Sequence, residues 1–230
     1  MEQNKVRTYL LYALGEILLV VIGILIALQI NNWNQEKQQD RQLKENLRAI
    51  ITNVSDDLEG LRIDAIRRDS LISYNRIARE SMIEGVYKVE ELKKAEYFFY
   101  EFYFISNRSG YNALTNSEFL GKLSNTKLDS LLSAYYVGLD NIHDREVSFN
   151  TMIENFEFKF RSGNPMIRYF ELIRKDELTQ SEQQELIEYF KTTEFQAAVL
   201  RSSRQGTSGY YFLIDIGEEL INELESYIND

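Results

Sequence analysis

The side chains able to do chemistry are few and poorly spaced for it. His143 is the single histidine and cysteine is absent, which excludes a histidine pair, a zinc triad, a thiolate nucleophile and any disulfide. His143 stands beside Asp144 in a helical pattern, where an exposed or hydrogen-bonded imidazole is the ordinary outcome. Carboxylates abound, but Asp56, Asp57 and Glu59 fall on a predicted solvated helix flank and lack the spaced oxygen ligands of a calcium loop. Gly206 and Gly209 have neither the lysine of a phosphate-binding loop nor the dinucleotide glycine spacing. These absences predict a non-enzymatic chain with no catalytic residue, no metal and no cofactor.

Two other groups could hold something. Arg67-Arg68 and the pair Arg201, Arg204 are either counter-ions for an acidic surface or anion sites. Seven of the eight residues from Tyr97 to Phe104 are aromatic. Tyr97, Tyr100 and Phe104 are therefore candidates for a ligand pocket, although the same density suits a helix buried on most of its sides.

The elements that would position these groups begin with the stretch Tyr9 to Asn32. Fourteen residues between Leu10 and Ile30 are Leu, Ile or Val, and about 20 apolar residues in a helix match the hydrocarbon core of a bilayer. Each of these favours insertion by roughly 0.3–0.6 kcal/mol, against about 2.5–3.5 for a charge at the centre, so the apolar sum outweighs Glu16. The apolar region is longer than that of a cleaved signal peptide and no small-x-small site follows it. A retained membrane anchor is predicted.

Lys5 and Arg7 precede the span; Lys37, Arg41, Lys44 and Arg48 follow it, interleaved with Glu36, Asp40 and Glu45. Since long domains translocate largely regardless of charge, residues 1–8 are expected on the cytoplasmic side and residues 33–230 outside. Trp33 stands where an interfacial aromatic anchor belongs. Glu16, Gly23 and Ala27 share one helical face with Tyr12, Val20 and Ile30. Gly23 and Ala27 form a small-xxx-small pair that permits close helix approach, so this face is the candidate surface for another membrane protein or a second copy.

The run from Tyr9 through Ile17, then Val20 through Asn34, resembles the N-terminal signature of an uncharacterised family of single-pass membrane proteins found in Bacteroidota-type bacteria. Tyr111-Asn112-Ala113-Leu114 and the Tyr135-Tyr136 pair resemble its weaker downstream pattern. The resemblance implies an inner-membrane anchor and a periplasmic helical domain, and it supplies no activity. Asp69-Ser70-Leu71 and Asp129-Ser130-Leu131 likewise resemble an O-glycosylation acceptor motif of such bacteria.

With the span removed, roughly 195 residues remain, enough for one domain with its own core. Net charge is −10, from 36 acidic and 26 basic residues, which argues against a nucleic-acid surface. One proline and eleven glycines suit long helices.

Leu43, Leu47, Ile50, Val54, Leu58, Leu61 and Ala65 recur every three or four residues, predicting a helix from Gln35 to about Ile83 that stops at Glu84-Gly85, and no breaker between Gln35 and Glu45 separates it from the span. A second helix is predicted from Val89 to Ser106, with a short strand as the competing outcome. Short helices follow at Tyr111 and Phe119. Asn125 or Thr126 caps a long helix to Arg161, with Leu128, Leu132, Tyr135, Leu139, Ile142 and Val147 on its inner face. Pro165 opens a brief helix. Thr179-x-x-Glu182 and Thr193-x-x-Gln196 predict two capped helices, and Tyr210 to Ile228 the last. The expected architecture is all-α, one transmembrane helix continuing into a helical bundle. The expected function is a membrane-anchored interaction or scaffold protein, or alternatively an extracytoplasmic sensory or ligand-binding domain.

Overall fold

The computed structural model describes residues 3–95, 99–161 and 165–229, with side-chain surroundings from Leu14 onward except at 161, 165 and 166. Among the described residues there are nine helices and no strand. The fold is all-α, and one helix dominates it.

That helix, α1 (Gln3–Glu84), runs 82 residues without a break, about 120 Å at 1.5 Å per residue. It ends where the sequence places the stop. Gly85 takes φ of +69°, a left-handed cap that glycine adopts without a Cβ clash, and Val86 N–H donates to the Ser81 carbonyl at 3.1 Å.

The apolar window that begins at Leu14 is unburied along its whole length, which leaves it free to be a membrane span. From Leu14 onward the first buried side chain of α1 is Leu43, so about 15 Å of polar helix separates Asn32 from the packed domain.

From Leu43 onward α1 carries two cores. The first is mainly aliphatic, joining Leu47, Val54 and Leu61 to α3 (Ser109–Thr115), α4 (Leu120–Leu123), the first half of α5 (Lys127–Arg161) and α9 (Ser208–Asn229). The second is mainly aromatic, joining Ala78 to α2 (Val89–Lys94), the end of α5, α6 (Pro165–Arg174), α7 (Gln180–Lys191) and α8 (Thr193–Ser202). Phe195 is its hub, with ring centroids 4.9 Å from Phe160 and 5.0 Å from Tyr169.

Helix α9 lies antiparallel to α1. Tyr211 near its start donates to Asp69 at 2.8 Å, and Lys44 donates to the Ile228 carbonyl near its end at 2.7 Å.

The caps follow the sequence closely. Thr126 accepts from Asp129 N–H at 3.2 Å to open α5, Thr179 and Glu182 form a capping box, and Pro165 is the first residue of α6. The cap of α8 is Thr192 rather than Thr193: its side chain accepts from Phe195 N–H, one residue before the predicted position.

A larger departure concerns Val89 to Ser106. The helix ends at Lys94, and residues 100–107 are extended, neither helical nor paired in a ladder. Side chains of α1 and α5 bond the backbone of this strap, which removes the need for either regular structure.

Gly110 at the start of α3 lies against α1 so closely that a Cβ would stand 2.7 Å from Ile50 N and 2.9 Å from the Ala49 carbonyl carbon. Both are backbone atoms and cannot move aside. A Gly110→Ala variant should lose about 1–3 kcal/mol of stability, whereas Gly121→Ala, whose Cβ would meet nothing within 4 Å, should lose none. Thermal unfolding of the two variants checks this, and equal midpoints would contradict the close approach.

Candidate functional site

The membrane-helix candidates come first along the chain. Glu16, Gly23 and Ala27 are exposed, and a Cβ at Gly23 would meet nothing within 4 Å. Their face is therefore uncovered by the rest of this chain. Trp33 is 63 % exposed, with the Lys37 ammonium 5.3 Å from its ring centroid.

The second candidate is the groove between α1 and α5 that the strap fills. Asn150 of α5 accepts from Phe102 N–H at 3.0 Å and donates to the Phe102 carbonyl at 2.8 Å. Glu146 accepts from Phe104 N–H at 2.8 Å. From α1, Asp57 accepts from Asn107 N–H at 3.1 Å and Asn53 accepts from Gly110 N–H at 2.9 Å.

Glu146 also bonds the Arg68 guanidinium and accepts from the Tyr210 hydroxyl at 2.8 Å. Arg68 is sandwiched between aromatic rings, 3.9 Å from the centroid of Phe102 and 4.4 Å from that of Tyr210. Such contacts strengthen as the cation is desolvated, and both Arg68 and Glu146 are buried. Removing either partner would strand a buried charge.

Burial sets the titration of this network. It is the main cause raising Asp57 to about 6, opposed by the hydrogen bonds from Asn107 and Tyr135. It likewise pushes the Tyr135 and Tyr210 hydroxyls upward and raises Asp64. Asp56 and Glu59 are exposed as expected, but Asp57 is 6 % exposed, a correction to the solvated-flank expectation. It sits three residues after Val54 and four before Leu61, on the inner face of α1.

Alongside this network lies a cleft of about 670 Å³, with walls from α1, α5, the α8–α9 connection and Phe102. Arg201 and Arg204 both line it, as do Arg68, Arg145 and Asn75. The structure thus separates the arginines that the sequence left equivalent. Arg68 is a counter-ion, Arg67 packs over the Tyr100 ring at 5.0 Å, and Arg201 and Arg204 face the cleft.

Of the predicted aromatic trio, only Tyr100 and Phe104 fall among the described residues. Tyr97 lies outside the described residues, Tyr100 is 41 % exposed, and Phe104 packs in the first core against Gly60. Phe102, between them, is the strap ring that lines the cleft.

His143 is exposed on α5. Among the described residues no three His, Asp or Glu side chains stand close enough to hold a metal. Ser70 and Ser130 are exposed helical residues whose hydroxyls donate to the Ile66 and Thr126 carbonyls.

Residues 16–164, well over half of the chain, match the model of a family of unknown function, DUF6090. The chain belongs to that family. The DUF6090 match takes in α1 from Glu16, the strap and α3 to α5; the cleft residues Arg201, Arg204 and Tyr210 lie beyond it. No curated protein and no solved structure matches the chain. The motif residues Tyr111, Leu114, Tyr135 and Tyr136 fall within the DUF6090 match and pack together in the first core, Tyr111 stacked on Tyr136 at 3.7 Å.

Missed from the sequence were Asn53, Asn75, Glu146 and Asn150, together with the burial of Arg68. All are buried polar residues on apolar faces, and the signal was available. Continuing the α1 register past Ala65 reaches Arg68, Ile72 and Asn75. In α5 Glu146, four residues after Ile142, occupies the inner position given to Val147, which is 48 % exposed instead.

The raised Asp57 carboxyl fixes a pH dependence. Between its unfolded value of 3.8 and about 6, the folded state binds more protons than the unfolded one, so this group's contribution to stability falls as pH rises through that window. An Asp57→Asn variant keeps an acceptor for Asn107 N–H and carries no buried charge. Relative to wild type it should gain stability as pH rises from 4 to 7, reaching roughly 1–3 kcal/mol above pH 7. Denaturation midpoints across that range check it; a difference independent of pH would contradict the assignment.

Proposed function

We propose that this chain is a non-enzymatic, single-pass membrane protein that holds a helical interaction domain at a bacterial inner membrane. One observation carries the reading: an apolar helix with none of its length buried against its own chain runs without a break into the domain core. A soluble protein would leave that surface in water at a cost of roughly 25 cal/mol per Å², whereas a bilayer removes it. Because α1 is also the helix on which both cores are built, the domain is held stiffly relative to the span rather than tethered by a loop.

The orientation that fits is residues 1–8 in the cytoplasm and residues 33–230 in the periplasm, since a long domain translocates largely regardless of its charge. The partners that fit are lipid and, on the Glu16, Gly23 and Ala27 face, a second copy or another membrane helix. The net charge of −10 favours no nucleic-acid partner. A second reading, an extracytoplasmic ligand-binding or sensory domain, is favoured specifically by the cleft beside the strap.

The chain contains no cysteine, so a single introduced thiol reports one position. Gly23→Cys and Ala27→Cys variants, oxidised in native membranes, should give a discrete crosslinked species on this face, while Val21→Cys on another face gives none. Uniformly monomeric chains, or equal crosslinking from all three positions, would contradict an interaction through this surface.

A further inference from the structure

The cleft has a floor and a rim of different chemistry. Leu71, Ile72, Ile142 and Phe149 form an apolar floor, each at most 8 % exposed. Arg145, Arg201 and Arg204 stand exposed around it, with no ion pair to any carboxylate among the described residues.

Four arginines line the cleft against two carboxylates, Asp144 and Glu146. Glu146 is already occupied by Arg68, the Tyr210 hydroxyl and Phe104 N–H. The cleft is thus locally cationic in a chain of net charge −10, although 36 acidic residues were available to neutralise it. Neighbouring guanidinium groups repel one another, and an anion seated among them would relieve that repulsion.

The walls also hold unused hydrogen-bonding capacity. Asn75, 2 % exposed, has a side-chain oxygen with no partner, and Arg68 Nε has none either. The volume, about 670 Å³, falls within the range of small-molecule sites.

From this juxtaposition of apolar floor and unpaired arginine rim, we infer that the cleft binds an amphipathic organic anion, a carboxylate or phosphate carried on an apolar body. The body would rest on Leu71, Ile72 and Phe149 and the anionic head among Arg145, Arg201 and Arg204. Arg68 lies 36 residues beyond Asn32, about 54 Å along α1, so the ligand would be a soluble molecule rather than a headgroup of the membrane in which the chain is anchored. This inference stands on the cleft alone and does not depend on the interaction surface of the span.

Calorimetric titration of the full chain in phosphatidylcholine nanodiscs, with empty nanodiscs subtracted, tests it. The probes are 4-phenylbutyrate, octanoate, 4-phenylbutanol and inorganic phosphate. At least one of the two carboxylates should bind below 1 mM, and at least tenfold more tightly than inorganic phosphate; phenylbutyrate should likewise exceed the alcohol if it is the one that binds. The exposed double substitution Arg201→Ala, Arg204→Ala should weaken that binding at least tenfold, while Lys122→Ala, which removes contacts with Asp40 and the Phe119 ring far from the cleft lining, leaves it unchanged. Failure of both carboxylates to bind, equal binding of inorganic phosphate or of the alcohol, or unchanged affinity in the double variant would each overturn the inference.

Discussion

An extended strap held by side chains rather than by a sheet is the constraint on which this domain rests. Side chains of α1 and α5 reach the strap from either side. Residues 100–107 fill the groove between these helices, and their backbone groups must find partners once buried. Asp57, Glu146 and Asn150 supply those partners from the two helices, while the strap in turn satisfies polar groups that would otherwise be stranded inside. Each side of the arrangement makes the other affordable.

The same polar seam divides the interior into two cores of different character. The aliphatic core, nearer the N-terminal apolar segment, is closed by α9 returning antiparallel along α1. The aromatic core, at the far end, is closed by the short helices α6, α7 and α8. Arg68 sits at the junction with its charge satisfied by Glu146 and its faces covered by Phe102 and Tyr210. Where the two cores diverge, the cleft opens. Its position therefore follows from the architecture: the seam is the place where neither core supplies side chains to fill the space.

Much of this was legible in the chain itself. The apolar run, the register from Leu43 to Ala65, the stop at Gly85 and the Thr179 capping box are local signals, and local signals survive folding. The strap was not legible, because its aromatic density satisfies a helix and a strand about equally, and the deciding partners, Glu146 and Asn150, lie more than 40 residues away in sequence. At Asp57 charge points to solvent while the helical register with Val54 and Leu61 points inward, and the register decides. Arg201 and Arg204 are a pair with no local signal for their destination, since only tertiary packing of the α8–α9 connection turns them toward a cavity.

Amide hydrogen exchange resolved along the strap tests the central claim most directly. The amides of Phe102, Phe104 and Asn107, each bonded to a side chain of α1 or α5, should exchange slowly despite lying outside any helix, while those of the exposed Tyr103 and Ile105 exchange at rates near those of an open chain. Uniformly fast exchange from 100 to 107, or protection continuous through all of them as in a helix, would contradict it.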